Sequence, residues 1–392
     1  MRNYLDENTL DSLLEGFQLI DFNWRYIYIN KTVAEQGKSS KKELLGHTMM
    51  EKFPGIENTE MFRALQRCMN ERISHRIENE FTYPDGTKGW FELRIEPVSE
   101  GLFILSVDIS EQKKVEEELR KLNESLEVLV TLRTAELSIK NKDLTDSIKY
   151  AQRIQCSKLP SKKEIYSVFP NSFILFKPKD IVSGDFYYFH KSNQSVFIAS
   201  ADCTGHGVPG ALMSMLCSEK LNEAVLKGSG NSEILKQLNK SIKTSLRQSS
   251  SDDSIRDGMD IALCSVDTIN SNLKYAGANR PLWIIRNGHT ELEEIKSTKN
   301  AIGGFTDDSQ HFDTQEIKLQ QGDTFYIFTD GYADTFGGQD GKKLTTKKFK
   351  EILLDIQHKT MQEQEEHLNN FIENWKAGIE QVDDILVIGI RL

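Results

Sequence analysis

One uninterrupted helical segment constrains the fold of this chain more than any other feature. Residues 111–158 contain neither proline nor glycine and are rich in glutamate, lysine and leucine. Large apolar residues recur there at 4-3-4-3 spacing, which places them on one stripe of a helix: Val115, Leu119, Leu122, Leu126 and Leu129. The stripe then shifts by one residue and continues at intervals of seven with Val130, Leu137, Leu144 and Ala151. The sequence therefore predicts a long helix between two separately folded regions.

Two arrangements suit this helix. It can pack as a single amphipathic helix on its own chain, or it can pair with a second copy in a parallel coiled coil. We favour the parallel homodimer, because the segment is long and its other faces are charged. We therefore expect a helical dimer linker at residues 111–160, between one domain at residues 1–110 and another at residues 161–392.

The composition excludes several classes of partner. The net charge is −10, whereas surfaces that bind nucleic acid are basic, so we expect no nucleic acid partner. The first residues carry no signal-peptide pattern, and no apolar run approaches the ~20 residues of a membrane span, so we expect no membrane association. The five cysteines are scattered and form no CxxC pair, which argues against a disulfide framework or a zinc site and favours the cytoplasm.

The first region mixes short strands and helices. RYIYIN, GWFELRIEPV and GLFILSVDI alternate in polarity or are rich in β-formers, as half-buried strands are. Pro84–Asp85–Gly86 predicts a hairpin turn between two strands. Asp108 and Glu111 match a capping box, so we expect the long helix to begin there. The predicted structure is an antiparallel sheet with helices, followed by the linker.

Residues 1–110 resemble a PAS domain. The resemblance lies in the order of four segments: EGFQLIDFNWRYIYINKTVAEQ, KKELLGHTMMEKFP, YPDGTKGWFELRIEPV and SVDIS. PAS domains sense small ligands, redox state or partners, so the resemblance implies a sensor. No cofactor can be identified from these residues, and the ligand of the predicted PAS domain is unknown.

The last region carries acidic residues at the edges of predicted strands. Asp185 lies in DIVSGDFYYF, Asp202 in VFIASADCTGHGVPGALMSML, Asp330 in DTFYIFTDGYADTF, and Asp383–Asp384 in QVDDILVIGIRL. Two carboxylates about 4 Å apart repel by roughly 1–4 kcal/mol, so a cation must offset the repulsion if the fold gathers them. Oxygen ligands alone select a hard ion such as Mg²⁺ or Mn²⁺.

Glycines follow two of these aspartates: Gly205, Gly207 and Gly210 around His206, and Gly331 after Asp330. Glycine lets the backbone turn sharply and approach another group closely. A helix is predicted directly after the first set, with Pro209 near its first turn, where proline is favoured.

Residues from about 150 to 392 resemble the metal-dependent protein phosphatases of type 2C, in their bacterial SpoIIE/RsbU-like branch. The matching blocks are YAQRIQCSKLPS, VSGDFYYF, ADCTGHGVPGALMSML, LKYAGANRPLW, YIFTDGYAD and VDDILVIGI. The resemblance implies two sheets between layers of helices, the αββα sandwich. With the PAS domain and the linker, the predicted fold class is α+β and multidomain.

The resemblance also implies roles for individual residues. Asp202 would bridge two Mn²⁺ or Mg²⁺ ions, with the backbone carbonyl of Cys203 as a neighbouring ligand and Asp185 serving the same centre. Asp330 and Asp383 would complete the shell of the second ion, and these four aspartates are the predicted catalytic residues. The supporting residues are Gly184, Gly205, His206, Gly207, Gly331 and Asp384.

Three positions depart from the family pattern. Asn279 stands where many members have His, Leu386 stands where many have Thr, and GMDIALC replaces a commoner Phe-Ala-Thr segment. None of these departures removes a predicted metal carboxylate. His206 has two interpretations, a general acid or a structural residue of its glycine turn, and we favour the second. Arg280 also has two, a contact to phosphate or an exposed loop residue without a role, and we favour the second.

The predicted function is hydrolysis of phosphoserine or phosphothreonine on a partner protein by metal-activated water. The resemblance implies a STAS-domain anti-sigma-factor antagonist as the substrate, and we expect the PAS domain to control activity through the helix. A non-catalytic switch that binds a phosphoprotein is the alternative. A sensor histidine kinase has a similar domain order, but residues 76–189 contain no histidine that could accept a phosphoryl group.

Overall fold

The computed structural model describes residues 7–83, 85–192, 195–248 and 256–392. The chain divides into two compact units, Met1–Leu137 and Ser138–Leu392. Residues 1–6, where the sequence shows no signal-peptide pattern, and Pro84 of the predicted turn lie outside the described residues. No helix in the described ranges combines the length and the apolar character that crossing a bilayer requires.

The first unit is built on a five-stranded antiparallel sheet. Its elements are α1 (Glu7–Asp11), β1 (Gly16–Asp21), β2 (Tyr26–Ile29), α2 (Lys31–Gln36), α3 (Lys41–Leu44), α4 (Met49–Lys52), α5 (Glu60–Glu71), β3 (His75–Thr82), β4 (Lys88–Val98) and β5 (Gly101–Asp108). The strand order in the sheet is β2-β1-β5-β4-β3. The predicted hairpin is present, because Thr82 pairs with Lys88 and Gly86 between them has φ +82°.

Apolar side chains of α5 and of the sheet form the core of this unit. Leu65 and Cys68 of α5 are buried against Ile95 and Ile104 of the sheet. Thr59 caps α5 by accepting a hydrogen bond from the backbone N–H of Phe62. The sheet therefore presents one apolar face to the helix, as the alternation in the sequence predicts.

The long helix predicted from the sequence is also present as α6 (Ser110–Lys158). Asp108 accepts a hydrogen bond from the backbone N–H of Ser110, so an Asx turn starts the helix in place of the predicted capping box. The predicted apolar stripe is solvent-exposed in the single chain, with about half of each side chain accessible at Val115, Leu119, Leu122, Leu126 and Leu129.

The second unit contains two antiparallel sheets between helices. Its elements are α7 (Lys162–Val168), β6 (Ser172–Lys177), β7 (Asp185–Lys191), β8 (Val196–Cys203), α8 (Gly207–Leu226), α9 (Asn231–Ser245), β9 (Gly258–Asp267), β10 (Asn272–Ala278), β11 (Leu282–Ile285), β12 (Leu292–Ile295), β13 (Ile302–Gly303), β14 (Thr314–Lys318), β15 (Thr324–Phe328), α10 (Gly331–Asp334), β16 (Phe336–Gly337), β17 (Lys342–Lys343), α11 (Thr346–Ile356), α12 (Met361–Lys376) and β18 (Ile385–Arg391).

Three apolar cores hold the layers of this unit together. One sheet has the order β14-β10-β9-β8-β7, with β13 beside β9, and the other has the order β12-β11-β15-β18-β6. The sheets pack face to face through residues such as Ile198 and Ile388. Helices α8 and α9 cover the first sheet, and α11 and α12 cover the second. The predicted αββα sandwich is confirmed, and its strands are apolar on both faces because both faces are covered.

Candidate metal centre

Two neighbouring strands of the first sheet bring Asp185 and Asp202 together. Strand β7 begins at Asp185, strand β8 ends one residue after Asp202, and the two residues pair directly across the strands. Side chains of directly opposed residues lie on the same face of a sheet. Asp185 is almost fully buried and accepts a hydrogen bond of 2.6 Å from Oγ1 of Thr329. We had not singled out Thr329 from the sequence.

Two neighbouring strands of the second sheet deliver Asp330 and Asp383. Asp330 follows the end of β15 and Asp383 precedes the start of β18, and these strands are antiparallel, so the two aspartates lie at the same edge. A cavity of about 600 Å³ is lined by Asp202, Cys203, Asp330 and Asp383. The structure thus brings three of the four predicted aspartates to one cavity, with the fourth buried beside Asp202.

Asp384 holds the loop that enters β7. It is buried and accepts hydrogen bonds of 2.7 Å from the backbone N–H groups of Lys179 and Gly184. A Cβ atom on Gly184 would lie 2.5 Å from the carbonyl oxygen of Gly205, and one on Gly331 would lie 1.9 Å from that of Asp384. Both glycines are therefore needed for close backbone approach, and the predicted supporting residues shape the rim of the site.

His206 lies on the wall of the same cavity. Gly205 and Gly207 flank it with φ values of +85° and +62°, a region that side chains disfavour. His206 is the N-cap residue of α8, and its Nδ1 lies 3.1 Å from Oδ2 of Asp180. The contact with Asp180 orients the imidazole, which is more than half exposed to solvent.

A guanidinium group lies among the carboxylates. The side chain of Arg280, after β10, is only 13% exposed. Its Nη2 lies 2.6 Å from Oδ2 of Asp202, 2.8 Å from Oδ2 of Asp330 and 3.3 Å from Oδ2 of Asp260. The interpretation of Arg280 as an exposed loop residue is wrong. The hydroxyl of Tyr275 donates a hydrogen bond to the carbonyl of Arg280 and so fixes the backbone of this loop.

Asp260 is a further carboxylate of this cavity that we missed in the sequence. It lies on β9 directly opposite Asp202 of β8, and its Oδ1 accepts a hydrogen bond of 2.8 Å from Nδ2 of Asn279. Asn279 and the GMDIALC segment that contains Asp260 are two of the departures from the family pattern. The two departures are therefore in contact with each other. Considering them together in the sequence could have indicated that Asp260 belongs to the site.

The crowding of buried carboxyl groups raises their pKa values. Burial, and then the charge of Asp202, raises the pKa of Asp185 well above its usual range. Burial raises the pKa of Asp202 to about 7, although the nearby positive charge of Arg280 opposes this. Burial also raises the pKa of Asp260 and of Asp383. An added cation would favour the ionised forms of all four groups.

The donor chemistry of the cavity fits a hard divalent cation. The convergent side chains offer carboxylate oxygens, which Mg²⁺ and Mn²⁺ prefer. In the described part of the chain, no three His, Cys, Asp or Glu side chains already form a ready metal-ligand set. The guanidinium of Arg280 instead lies where Asp202, Asp330 and Asp260 converge. An internal cation therefore occupies the point where the negative charges meet.

Comparisons with known proteins match both units. The family model described as Stage II sporulation protein E (SpoIIE) matches residues 192–392, just over half of the chain. The family model described as PAS fold matches residues 10–114. The SpoIIE match includes Asp202, Asp330 and Asp383 and begins after Asp185.

Two individual proteins are similar to part of this chain. "Phosphoserine phosphatase RsbU" of Bacillus subtilis (strain 168) is 27% identical over 161 residues, which are 40% of this chain and 44% of that protein. The chain thus matches less than half the length of this curated relative. The solved structure of the SiaA-PP2C domain of Pseudomonas aeruginosa is 31% identical, with a TM-score of 0.58, and covers 64% of this chain and 98% of that chain.

Proposed function

The chain belongs to the SpoIIE family, and from that premise we propose that residues 161–392 hydrolyse phosphoserine or phosphothreonine on a partner protein. The observation that carries the proposal is the convergence of Asp202, Asp330 and Asp260 on one positive charge, in a cavity of about 600 Å³. A cavity of this size has room for a phosphorylated side chain, and bound cations would offset the repulsion among its carboxylates. The similarity to a phosphoserine phosphatase supports the same reaction.

The ligands of two Mn²⁺ or Mg²⁺ ions are proposed to be Asp185, Asp202, Asp330, Asp383 and the backbone carbonyl of Cys203. Bound divalent cations supply an activated water and neutralise phosphoryl oxygens. The chain's own residues prepare the site. Thr329 orients Asp185 through its hydrogen bond, and Asp384 holds the adjacent loop. We assign His206 a structural role in its glycine turn, supported by the positive φ of Gly205 and Gly207 on either side and by its contact with Asp180.

Hydrolysis of p-nitrophenyl phosphate and of a phosphoserine peptide, with and without Mn²⁺, tests this activity. Asp202→Asn should lower both Mn²⁺-dependent rates by about 100-fold or more. Mutating a residue that only hydrogen-bonds to a metal ligand typically costs about 10–100-fold in activity, and losing a ligand itself should cost more. Asp313→Asn is the matched control, since the Asp313 side chain is 76% exposed, and it should keep the wild-type rate. Equal rates in wild type and Asp202→Asn would instead favour the non-catalytic phosphoprotein-binding switch.

The partner is proposed to be a STAS-domain anti-sigma-factor antagonist in the cytoplasm. Support comes from the similarity to the SpoIIE/RsbU-like phosphatases. The five cysteines are free thiols, as expected in a reducing compartment. We also propose that α6 forms a parallel homodimer. Its stripe of exposed residues, such as Leu119, Leu122 and Leu126, would bury substantial apolar surface against a second copy.

Control is proposed to pass from the PAS fold through α6 to the catalytic residues. Gln155, near the end of α6, is buried inside the second unit. Its Nε2 donates to the carbonyl of Ser183 at 2.6 Å and to Oγ of Ser214 at 2.8 Å, and its Oε1 accepts from the N–H of Ser183 at 3.2 Å. The hydroxyl of Ser183 in turn accepts from the N–H of Asp185. Rotation of α6 would therefore move Asp185.

Gln155→Leu tests this route in the full-length protein. The change removes the acceptor of the Ser183 N–H and one of the two donors to the Ser183 carbonyl, which keeps its hydrogen bond from the hydroxyl of Ser214. Leaving the buried N–H without a partner costs about 1–3 kcal/mol. We expect the specific activity and the Mn²⁺ affinity to change by about fivefold or more. Gln112→Leu is the control, because Gln112 lies on an exposed face of the same helix. The same turnover and metal affinity in both variants would contradict the proposed route.

A further inference from the structure

Arg280 forms ion pairs with three carboxylates of the cavity. Its Nη2 contacts Asp202 and Asp330 at hydrogen-bond distance and Asp260 at 3.3 Å. Its Nε is buried without a hydrogen-bond partner among the described residues. A buried donor without a partner is costly, so the side chain lies there because its attraction to the carboxylates outweighs that cost.

The backbone conformation of the turn that carries Arg280 fixes the position of its side chain. Asn279, the preceding residue, has φ +57°, a conformation that few residue types adopt easily. The side chain of Asn279 binds Asp260, and the hydroxyl of Tyr275 binds the carbonyl of Arg280. The turn between β10 and β11 is therefore fixed at both residues, and Arg280 has little freedom to lie elsewhere.

The contacts of Arg280 use the oxygens that a metal ion would need. Oδ2 of Asp202 and Oδ2 of Asp330 both face the same nitrogen, Nη2. Divalent cations bind carboxylate oxygens at about 2.0–2.6 Å and cannot share that space with a guanidinium nitrogen. Without any cation, however, the carboxylates repel one another in a buried place.

We propose that Arg280 is a positioning residue that holds the metal carboxylates together in the metal-free protein and gives up these contacts when a divalent cation binds. Arg280 and the metal thus compete for Asp202 and Asp330. Arg280 keeps the cavity assembled at low metal concentration, and it raises the metal concentration that is needed to load the site. This inference rests on the proposed metal-dependent function.

A thermodynamic cycle on the full-length protein tests the competition. The unfolding midpoint of the second unit is measured in EDTA and in saturating Mn²⁺, and Mn²⁺ affinity is measured by calorimetry. Arg280→Gln should lower the midpoint in EDTA and leave it near the wild-type value in saturating Mn²⁺. By linkage, it should then bind Mn²⁺ about tenfold more tightly or better. Arg280→Lys keeps the positive charge but lacks the planar guanidinium, so its midpoint in EDTA and its Mn²⁺ affinity should lie between those of wild type and Arg280→Gln. This second variant keeps the test valid if Arg280→Gln folds poorly in EDTA.

Arg286→Gln is the matched control. Arg286 is also partly buried and pairs with Asp323 and Glu293, away from the cavity. Arg286→Gln should lower the unfolding midpoint of the second unit by the same amount in EDTA and in Mn²⁺, and it should leave the Mn²⁺ affinity unchanged. The same pattern in Arg280→Gln would overturn the proposal and make Arg280 purely structural. Unchanged midpoints and affinity with a raised KM for the phosphopeptide would overturn it in favour of a phosphate contact. Wild type and Arg286→Gln that both fail to bind Mn²⁺ would instead reject the proposed function, and the inference with it.

Discussion

The two units each contain a cavity, and the walls of the two cavities differ in kind. The cavity of the first unit, about 90 Å³, is lined by apolar side chains such as Leu65, Phe91 and Ile104 with a few neutral polar groups. No ionisable side chain of the described residues lines it. The lining of the cavity of the second unit, about 600 Å³, includes four carboxylates and two arginines among other polar and apolar residues. Packing therefore holds the first site together, and neutralisation of charge holds the second.

A large-to-small substitution should separate the two cavities most strongly. Leu65 is buried and lines the first cavity, so Leu65→Ala removes packing that the neighbours cannot fully replace. We expect a loss of about 2–5 kcal/mol in the free energy of unfolding of the first unit. Hydrogen exchange measured by mass spectrometry on peptides from residues 7–83 would detect this loss.

The control for this substitution is Leu14→Ala, because the Leu14 side chain is 91% exposed and should lose almost nothing. Peptides from residues 195–248 and 256–392 should exchange at wild-type rates in both variants. Faster exchange in the strands around Asp202 would break the comparison, since it would show that packing in the first unit also supports the second site.

A smaller effect is expected from pH on the metal-free protein. Burial raises the pKa of Asp202 to about 7 in the folded state, well above the ordinary aspartate value of about 4 in the unfolded chain. The folded state thus holds a proton between pH 4 and about 7 that the unfolded state has lost, so the stability of the second unit should fall as pH rises through this range. In EDTA, the unfolding midpoint of the second unit should be several degrees lower at pH 8 than at pH 5.

Two further measurements sharpen the pH prediction. Asp202→Asn replaces the titrating group by a neutral one and should flatten part of the slope. Saturating Mn²⁺ should reverse it, because the cation favours the ionised carboxylates. The first unit, whose cavity lacks ionisable groups, should show no corresponding fall between pH 5 and pH 8. A midpoint of the second unit that rises over this range in EDTA would contradict the assigned pKa shifts.

Local patterns were sufficient to predict the elements and several of the acidic positions. Heptad spacing predicted α6, and the turn sequence Pro84–Asp85–Gly86 predicted the hairpin of β3 and β4. The aspartates of the site could be identified because each lies at the edge of a predicted apolar strand. Thr329 and Asp260 were missed, since each acquires its role only through a partner on another strand. Arg280 was misassigned because nothing near it in sequence indicates burial.

The amino-acid sequence by itself determined the periodicities, the covered strands and the supply of carboxylates, because these depend on neighbours a few residues apart. The tertiary structure alone decided which carboxylates share a cavity and which cation lies between them. Asp383 and Asp384 are adjacent, yet the first lines the cavity and the second binds the N–H of Gly184, which is 200 residues away in sequence. Asp383 lies in a bend just before β18, and charges interact through space rather than along the chain, so only folding could separate their roles.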